Sequence, residues 1–186
     1  REFDLIYRHL GLFGAGSQVR LGVGDDGAVL ALPPNSELVV SSDSLVEGTH
    51  FPELTLPEYV ATRAIAAAAS DLAAMAADPL AMTLALTLPD PDELWLHSFS
   101  QGLEPCVQAL ALPLVGGDLT RGPLSVTVTV MGSVPTGGAL RRSGAKPGDR
   151  LCVTHTLGDA AAGLALIMGQ LPSEPEIALE DEEFLE

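Results

Sequence analysis

The run Leu124-Ser125-Val126-Thr127-Val128-Thr129-Val130-Met131-Gly132-Ser133-Val134 carries the reading of the architecture. Val126, Val128 and Val130 alternate with Thr127 and Thr129, the two-residue period of a β-strand. Upstream, Leu112 to Val115 reads as a short strand running into a Gly116-Gly117-Asp118 turn, after a long helix from Glu93 to Ala111 carrying Trp95, Phe99 and Leu103 on one face. Met82 to Leu88 is another strand, with Pro89 to Asp92 as turn and helix start. Downstream, Pro135 to Gly148 is a loop holding Arg141, Arg142 and Lys146, followed by a strand over Arg150–Thr156 and a helix over Gly158–Gly169.

The clearest helix is Pro57 to Ala76. Proline suits a first helical turn and alanine has the highest helix propensity, and so many alanines allow close approach to a neighbour. Asp78-Pro79 ends it. Nearer the start, Glu2 to His9 reads as a short amphipathic helix with Phe3, Ile6 and Tyr7 on one side, and Gly11 to Gly16 as a loop. Strands over Ala28–Leu32 and Glu37–Ser44 read together as a hairpin-like unit. Strands and helices alternate, but the connections are too short and varied for regular βαβ repeats. The expectation is an α+β fold, a mostly antiparallel or mixed sheet with helices on one face.

With 9 basic and 25 acidic side chains the formal charge is −16, which argues against nucleic acid or an anionic membrane as partner. Seven of the acids lie in Glu174 to Glu186, a run of the kind found at solvated ends. Cys106 and Cys152 lack metal-ligand spacing and read as buried thiols of a reducing compartment. No apolar run reaches spanning length and no signal peptide opens the chain, so a cytoplasmic protein is expected.

Four acidic segments concentrate the chemistry: Gly24-Asp25-Asp26-Gly27, Ser41-Ser42-Asp43-Ser44, Ser70-Asp71 and Gly116-Gly117-Asp118-Leu119-Thr120. Each is placed where a regular pattern breaks, and carboxylates beside glycines and hydroxyls suit hard cations such as magnesium. The alternative for the first is a tight turn with exposed aspartates, and for the second and fourth an ordinary strand-end turn. Asp71 sits among Ile65, Leu72 and Met75, where a buried carboxylate needs a cation or donors; a solvated helix stripe is the alternative. Arg141, Arg142 and Lys146 offer charge-assisted donors to phosphate, or simply a solvated loop.

Gly22-Val23-Gly24-Asp25-Asp26-Gly27 matches G-x-G-x-x-G in spacing but precedes a strand, whereas the dinucleotide motif must open a helix. No Walker A lysine, G-x-S-x-G elbow, paired-histidine zinc motif or kinase catalytic loop is present.

Taken in order, these segments resemble the amino-terminal part of the thiamine-monophosphate kinase family. That family lies within the superfamily of aminoimidazole ribonucleotide synthetase and selenophosphate synthetase. Supporting stretches include Glu2 to Ile6, Gly22 to Asp26, Ser41 to Phe51, Ser70 to Met75, Thr83 to Pro89, Gly116 to Ser125, Leu140 to Asp149 and Leu157 to Leu164. The resemblance implies ATP-dependent phosphorylation of thiamine monophosphate to thiamine diphosphate with several magnesium ions. By position, Asp26, Ser41, Ser42, Asp43, Asp71 and Asp118 would bind metal. Gly117, Asp118 and Arg142 would contact ATP, Arg142 as a charge stabiliser, and His50 would contact the thiamine phosphate. It further implies homodimers whose sheets join across a two-fold axis.

Ala68 and Ala76 stand where the family usually has Asn and Gly, Leu119 where it has Thr, and His155 where it has Gly. The resemblance also implies a second α/β domain. Residues 1–150 would be the ATP- and magnesium-binding dimerisation domain, and 151–186 the start of a truncated second one with an acidic tail. A chain cut short or an incomplete gene product is therefore expected. Other ATP-using members of the superfamily, or a catalytically silent nucleotide-binding dimerisation fragment, are the rival readings.

Overall fold

The computed structural model describes residues 2–90, 92–154 and 156–171. His155, Pro91 and the acidic tail from 174 to 186 lie outside them. Two compact units divide between Gly144 and Ala145.

In the first unit a short helix α1 (Glu2–Leu5) continues into a π-helical turn over Ile6–Leu10 and a 3₁₀ turn over Gly11–Phe13. Strands β1 (Val19–Leu21) and β2 (Val29–Leu30) pair antiparallel as a small sheet. The main sheet holds β3 (Ser36–Val46), β4 (Asp78–Leu88), β5 (Leu114–Arg121) and β6 (Ser125–Pro135) in the order β3-β6-β4-β5. The valine-threonine run is the inner strand β6, antiparallel to both β3 and β4, while β4 and β5 run parallel. An α+β fold with a mixed, mainly antiparallel sheet is thus what forms.

The alternation in β6 has a direct consequence. Val126, Val128 and Val130 are fully buried, together with Met82, Leu84 and Leu86 of β4. Helix α2 (Pro57–Ala74) covers this face, packing on β3, β6 and β4 through Val60, Ala61, Ala64, Ile65, Ala68 and Leu72. Helix α3 (Glu93–Leu110) packs on α2 in turn. Their approach is closest at Gly102, where any Cβ would stand 2.2 Å from the Glu58 carbonyl oxygen. Thr62 Oγ1 donates to the same Glu58 carbonyl at 2.9 Å. The alanines of α2 and the glycine of α3 together permit this contact.

Several expectations are corrected. The strands near residues 29 and 37 form no hairpin: β2 pairs with β1, and β3 pairs with β6. A strand as long as β3 finds an equally long partner in β6, which the two residues of β2 cannot supply. The Gly116-Gly117-Asp118 segment is no turn but lies inside β5, because parallel pairing with β4 continues through it. Asp78-Pro79 opens β4 instead of closing a helix, and Ser41 to Asp43 sit within β3 instead of ending it. In the second unit, the described residues of 150–156 form no strand, and helix α4 (Asp159–Ile167) follows Gly158 at φ 108°.

Both long helices end in the same way. After α2, the Ala77 N–H donates to the Leu72 carbonyl at 2.9 Å and the Ala76 N–H to Ala73 at 3.1 Å, with Ala76 at φ 55°. After α3, the Leu112 N–H donates to Val107 at 3.1 Å and the Ala111 N–H to Gln108 at 3.4 Å, with Ala111 at φ 49°. This is the Schellman closure, whose left-handed residue is usually glycine because a Cβ is strained there. Ala76 and Ala111 carry that strain. Ala76→Gly and Ala111→Gly are each expected to raise stability by about 1 kcal/mol, seen as a higher urea midpoint. Gly102→Ala is expected to lower it by about 1–3 kcal/mol through overpacking.

Candidate nucleotide and metal site

The sheet register decides which functional side chains meet. Along β3, Val39, Ser41, Asp43 and Leu45 share the helix-covered side, since alternate residues point the same way. Asp71 comes from the last turns of α2, and the Ser41 hydroxyl donates to its Oδ2 at 2.5 Å. Asp71 is half-buried, and that hydroxyl is its partner in place of a solvent-only surrounding. Ser41, Asp43 and Asp71 therefore gather at the β3 edge, under the end of α2.

Ser42 and Ser44 face the opposite side. Their hydroxyls meet those of Thr129 at 2.9 Å and Thr127 at 2.7 Å on β6. Continuing across the sheet, Thr129 aligns with Thr83 and Gly116, and Thr127 with Ala85 and Asp118. Asp118 thus shares a face with Ser42 and Ser44, not with Asp43. Three strand spacings separate β3 from β5, about 14 Å.

At the β5 edge lies a cavity of about 530 Å³. The N-terminal turn contributes Ile6, Tyr7 and Leu10 to its wall, the loop Val23 to Ala28 contributes Asp25 and Asp26, and β5 contributes Leu114 to Leu119. Gly24 stands at φ 125°, a conformation side chains resist, and the Asp26 N–H donates to the Asp25 carboxylate at 2.8 Å. No helix opens here; β2 follows, as the spacing argument requires. Gly117 has the sharpest constraint: φ is 154° and a Cβ would fall 1.8 Å from the Leu84 carbonyl oxygen. Only glycine lets β5 lie this close to β4 and hold Asp118 at the cavity.

His50 lies elsewhere, on the turn after β3. Its Nδ1 accepts from the Val46 N–H at 3.0 Å, so the neutral ring carries its proton on Nε2 and can donate it outward. Arg142 is exposed in a 3₁₀ turn over Arg142–Gly144. Of the departures, Ala68 is fully buried on α2, where an amide would need partners, Leu119 is 8% exposed in the core, and Ala76 is the strained cap.

The structure thus brings Asp26, Gly117 and Asp118 together at one edge and Ser41, Asp43 and Asp71 at the other. It does not gather all four carboxylates in a single chain. Among the described residues no group of three or more His, Cys, Asp or Glu side chains is arranged to hold a metal. The donors at both edges are oxygens, the chemistry a hard cation requires.

Residues 24–134 match the family model of the AIR synthase related protein, N-terminal domain. The chain belongs to this AIR synthase related family. It is 51% identical over 171 residues to the thiamine-monophosphate kinase of Escherichia coli strain K12, covering 91% of this chain and 53% of that protein. The crystal structure of thiamine-monophosphate kinase from Stenotrophomonas maltophilia K279a superposes with a TM-score of 0.81 at 42% identity, over 91% of this chain and 54% of that one. AaThiL complexed with AMPPCP and TMP superposes with a TM-score of 0.71 at 29% identity, over 96% and 56%. The chain spans about half the length of the curated relatives it matches. The AIR synthase related match covers the main sheet up to Val134 and both acidic edges.

Tyr7, Thr83, Thr127 and Thr129 were not singled out from the sequence as site residues. The Thr127/Thr129 alternation is visible there, but only the register shows that Ser44 and Ser42 stand opposite. Gly117→Ala is expected to push β4 and β5 apart, lowering stability by about 1–3 kcal/mol and speeding amide exchange in β5. Gly116→Ala, whose Cβ would meet only Thr83 Cγ2 at 3.9 Å, is expected to leave both unchanged.

Proposed function

We propose that this chain is the nucleotide- and magnesium-binding part of an ATP-dependent kinase that phosphorylates thiamine monophosphate to thiamine diphosphate. The observation that carries the reading is the cavity itself. A glycine-constrained strand carrying Gly117 and Asp118 faces an acidic loop carrying Asp25 and Asp26, in a chain whose fold matches a complex with AMPPCP and TMP.

The acceptor is a phosphate monoester whose second pKa is about 6, so its oxygen is largely anionic near neutrality and needs no general base. What the reaction needs is positioning of two phosphates and relief of their repulsion. Asp26 and Asp118 at one edge, and Asp43, Asp71 and Ser41 at the other, are the residues that would hold magnesium, which supplies that neutralisation when bound; the Ser42 hydroxyl, on the opposite face with Thr129, stands apart from this set. The Ser41 hydroxyl orients the Asp71 carboxylate. Arg142 would assist at the polyphosphate, and the outward Nε2–H of His50 suits a phosphate oxygen of the acceptor.

Two acidic edges in one chain call for something to join them. Nucleotide polyphosphate is one bridge; a second copy is another. Leu38 and Val40, 48% and 54% exposed on the face opposite α2, suit the joining of sheets across a two-fold axis. In this reading residues 1–150 are the ATP-binding and dimerisation domain and 151–186 begin a second domain. No helix among the described residues is long and apolar enough to cross a membrane, which suits a cytoplasmic enzyme.

The separation of the two edges also favours a second reading, a nucleotide-binding dimerisation fragment without turnover of its own. Calorimetric titration with magnesium-AMPPCP beside an ADP-release assay with thiamine monophosphate separates them: the fragment binds without turning over. In a full-length enzyme carrying this sequence, Asp43→Asn is expected to lower transfer on the order of a hundredfold or more. Wild-type turnover in that variant removes Asp43 from the metal set.

A further inference from the structure

Beyond its acidic loop and glycine-constrained strand, the β5-edge cavity has an apolar wall that phosphate chemistry does not use. Ile6, Tyr7 and Leu10 from the N-terminal turn and Leu114 from the start of β5 form it. The cavity therefore accepts an apolar body attached to a charged, cation-bearing tail.

Tyr7 is the one aromatic side chain among the described residues lining it. In a chain with 4% aromatic residues, this ring is 53% exposed and not committed to the core, unlike Trp95 and Phe99, which stack on each other at 5.1 Å. Its hydroxyl lies 3.1 Å from where a Gly24 Cβ would stand, so the edge of the ring rests on the acidic loop at a place only glycine leaves open. A planar ring held at its edge, with much of its surface accessible, is a stacking platform for a heteroaromatic ligand.

Charge selects the ligand. Asp25, Asp26 and Asp118 line one cavity, and three carboxylates repel an anion unless it arrives with cations. A nucleoside triphosphate binds magnesium along its tail and brings more such charge than a monoester does. We infer that Tyr7 is the base-stacking residue of this cavity and determines its affinity for a purine nucleoside triphosphate. The inference rests on the kinase reading above but concerns a residue that reading does not use.

The test is titration calorimetry on the 186-residue chain in magnesium buffer, with AMPPCP, inorganic tripolyphosphate and thiamine monophosphate as separate ligands. Tyr7→Ala and Tyr7→Leu are expected to weaken AMPPCP about ten-fold and leave tripolyphosphate unchanged; Tyr7→Phe is expected to behave as wild type. Asp118→Asn is expected to weaken both ligands. Equal weakening of AMPPCP and tripolyphosphate by both Tyr7→Ala and Tyr7→Leu would show that the ring only props the Gly24 loop, and overturns the inference. So does unchanged AMPPCP binding, or a loss confined to thiamine monophosphate. Wild-type chain that binds neither AMPPCP nor tripolyphosphate overturns the nucleotide reading itself, and this inference with it.

Discussion

Pairing of β6 with β3 on one side and β4 on the other is the constraint on which the rest depends. Eleven consecutive residues of β3 are matched to β6 without a shift. Because side chains alternate, that register assigns every residue of the sheet to a face at once, and a one-residue slip would turn the valines outward. It buries Val126, Val128 and Val130 under α2 and, by the same step, sends Thr127 and Thr129 to the other side to meet Ser44 and Ser42. Core and site are consequences of one alignment.

The helices act on this sheet through small residues. Ala61, Ala64 and Ala68 let α2 lie close to the strands, and Gly102 lets α3 lie against the backbone of α2. Close backbone approach leaves little freedom for α2 to shift, so the Asp71 carboxylate reaches Ser41 from a fixed position. At the other edge Gly117 does the same for β5 and β4. In each case a missing side chain positions a carboxylate nearby.

Chemically, the arrangement favours a ligand that brings its own cations. Carboxylates are divided between two sheet edges and two faces, and neither group alone surrounds an ion. In the proposed reading, a polyphosphate carrying magnesium, or a second copy of the chain, would supply what one edge lacks. The acidic segments at both edges all fall within residues 24–134, the stretch that matches the AIR synthase related family.

Much was legible from the residues. The two-residue period of β6, the alanine-rich α2, the apolar face of α3 and the acidic segments all follow from local patterns, because strand and helix periodicity are properties of consecutive residues. The oxygen-rich character of the donors was equally plain from composition. Partner choice was not legible: nothing local told that β3 passes over its neighbour β2 to pair with β6, or that Gly116 to Asp118 continue a strand where glycines suggest a turn. Those outcomes depend on which distant backbone offers matching length and hydrogen-bonding groups, as Leu84 does to Gly117. The placing of Tyr7 beside Gly24, and of Asp118 on the face opposite Asp43, came from the same source. Sequence determined which chemical groups this protein has; tertiary pairing alone decided which of them face each other.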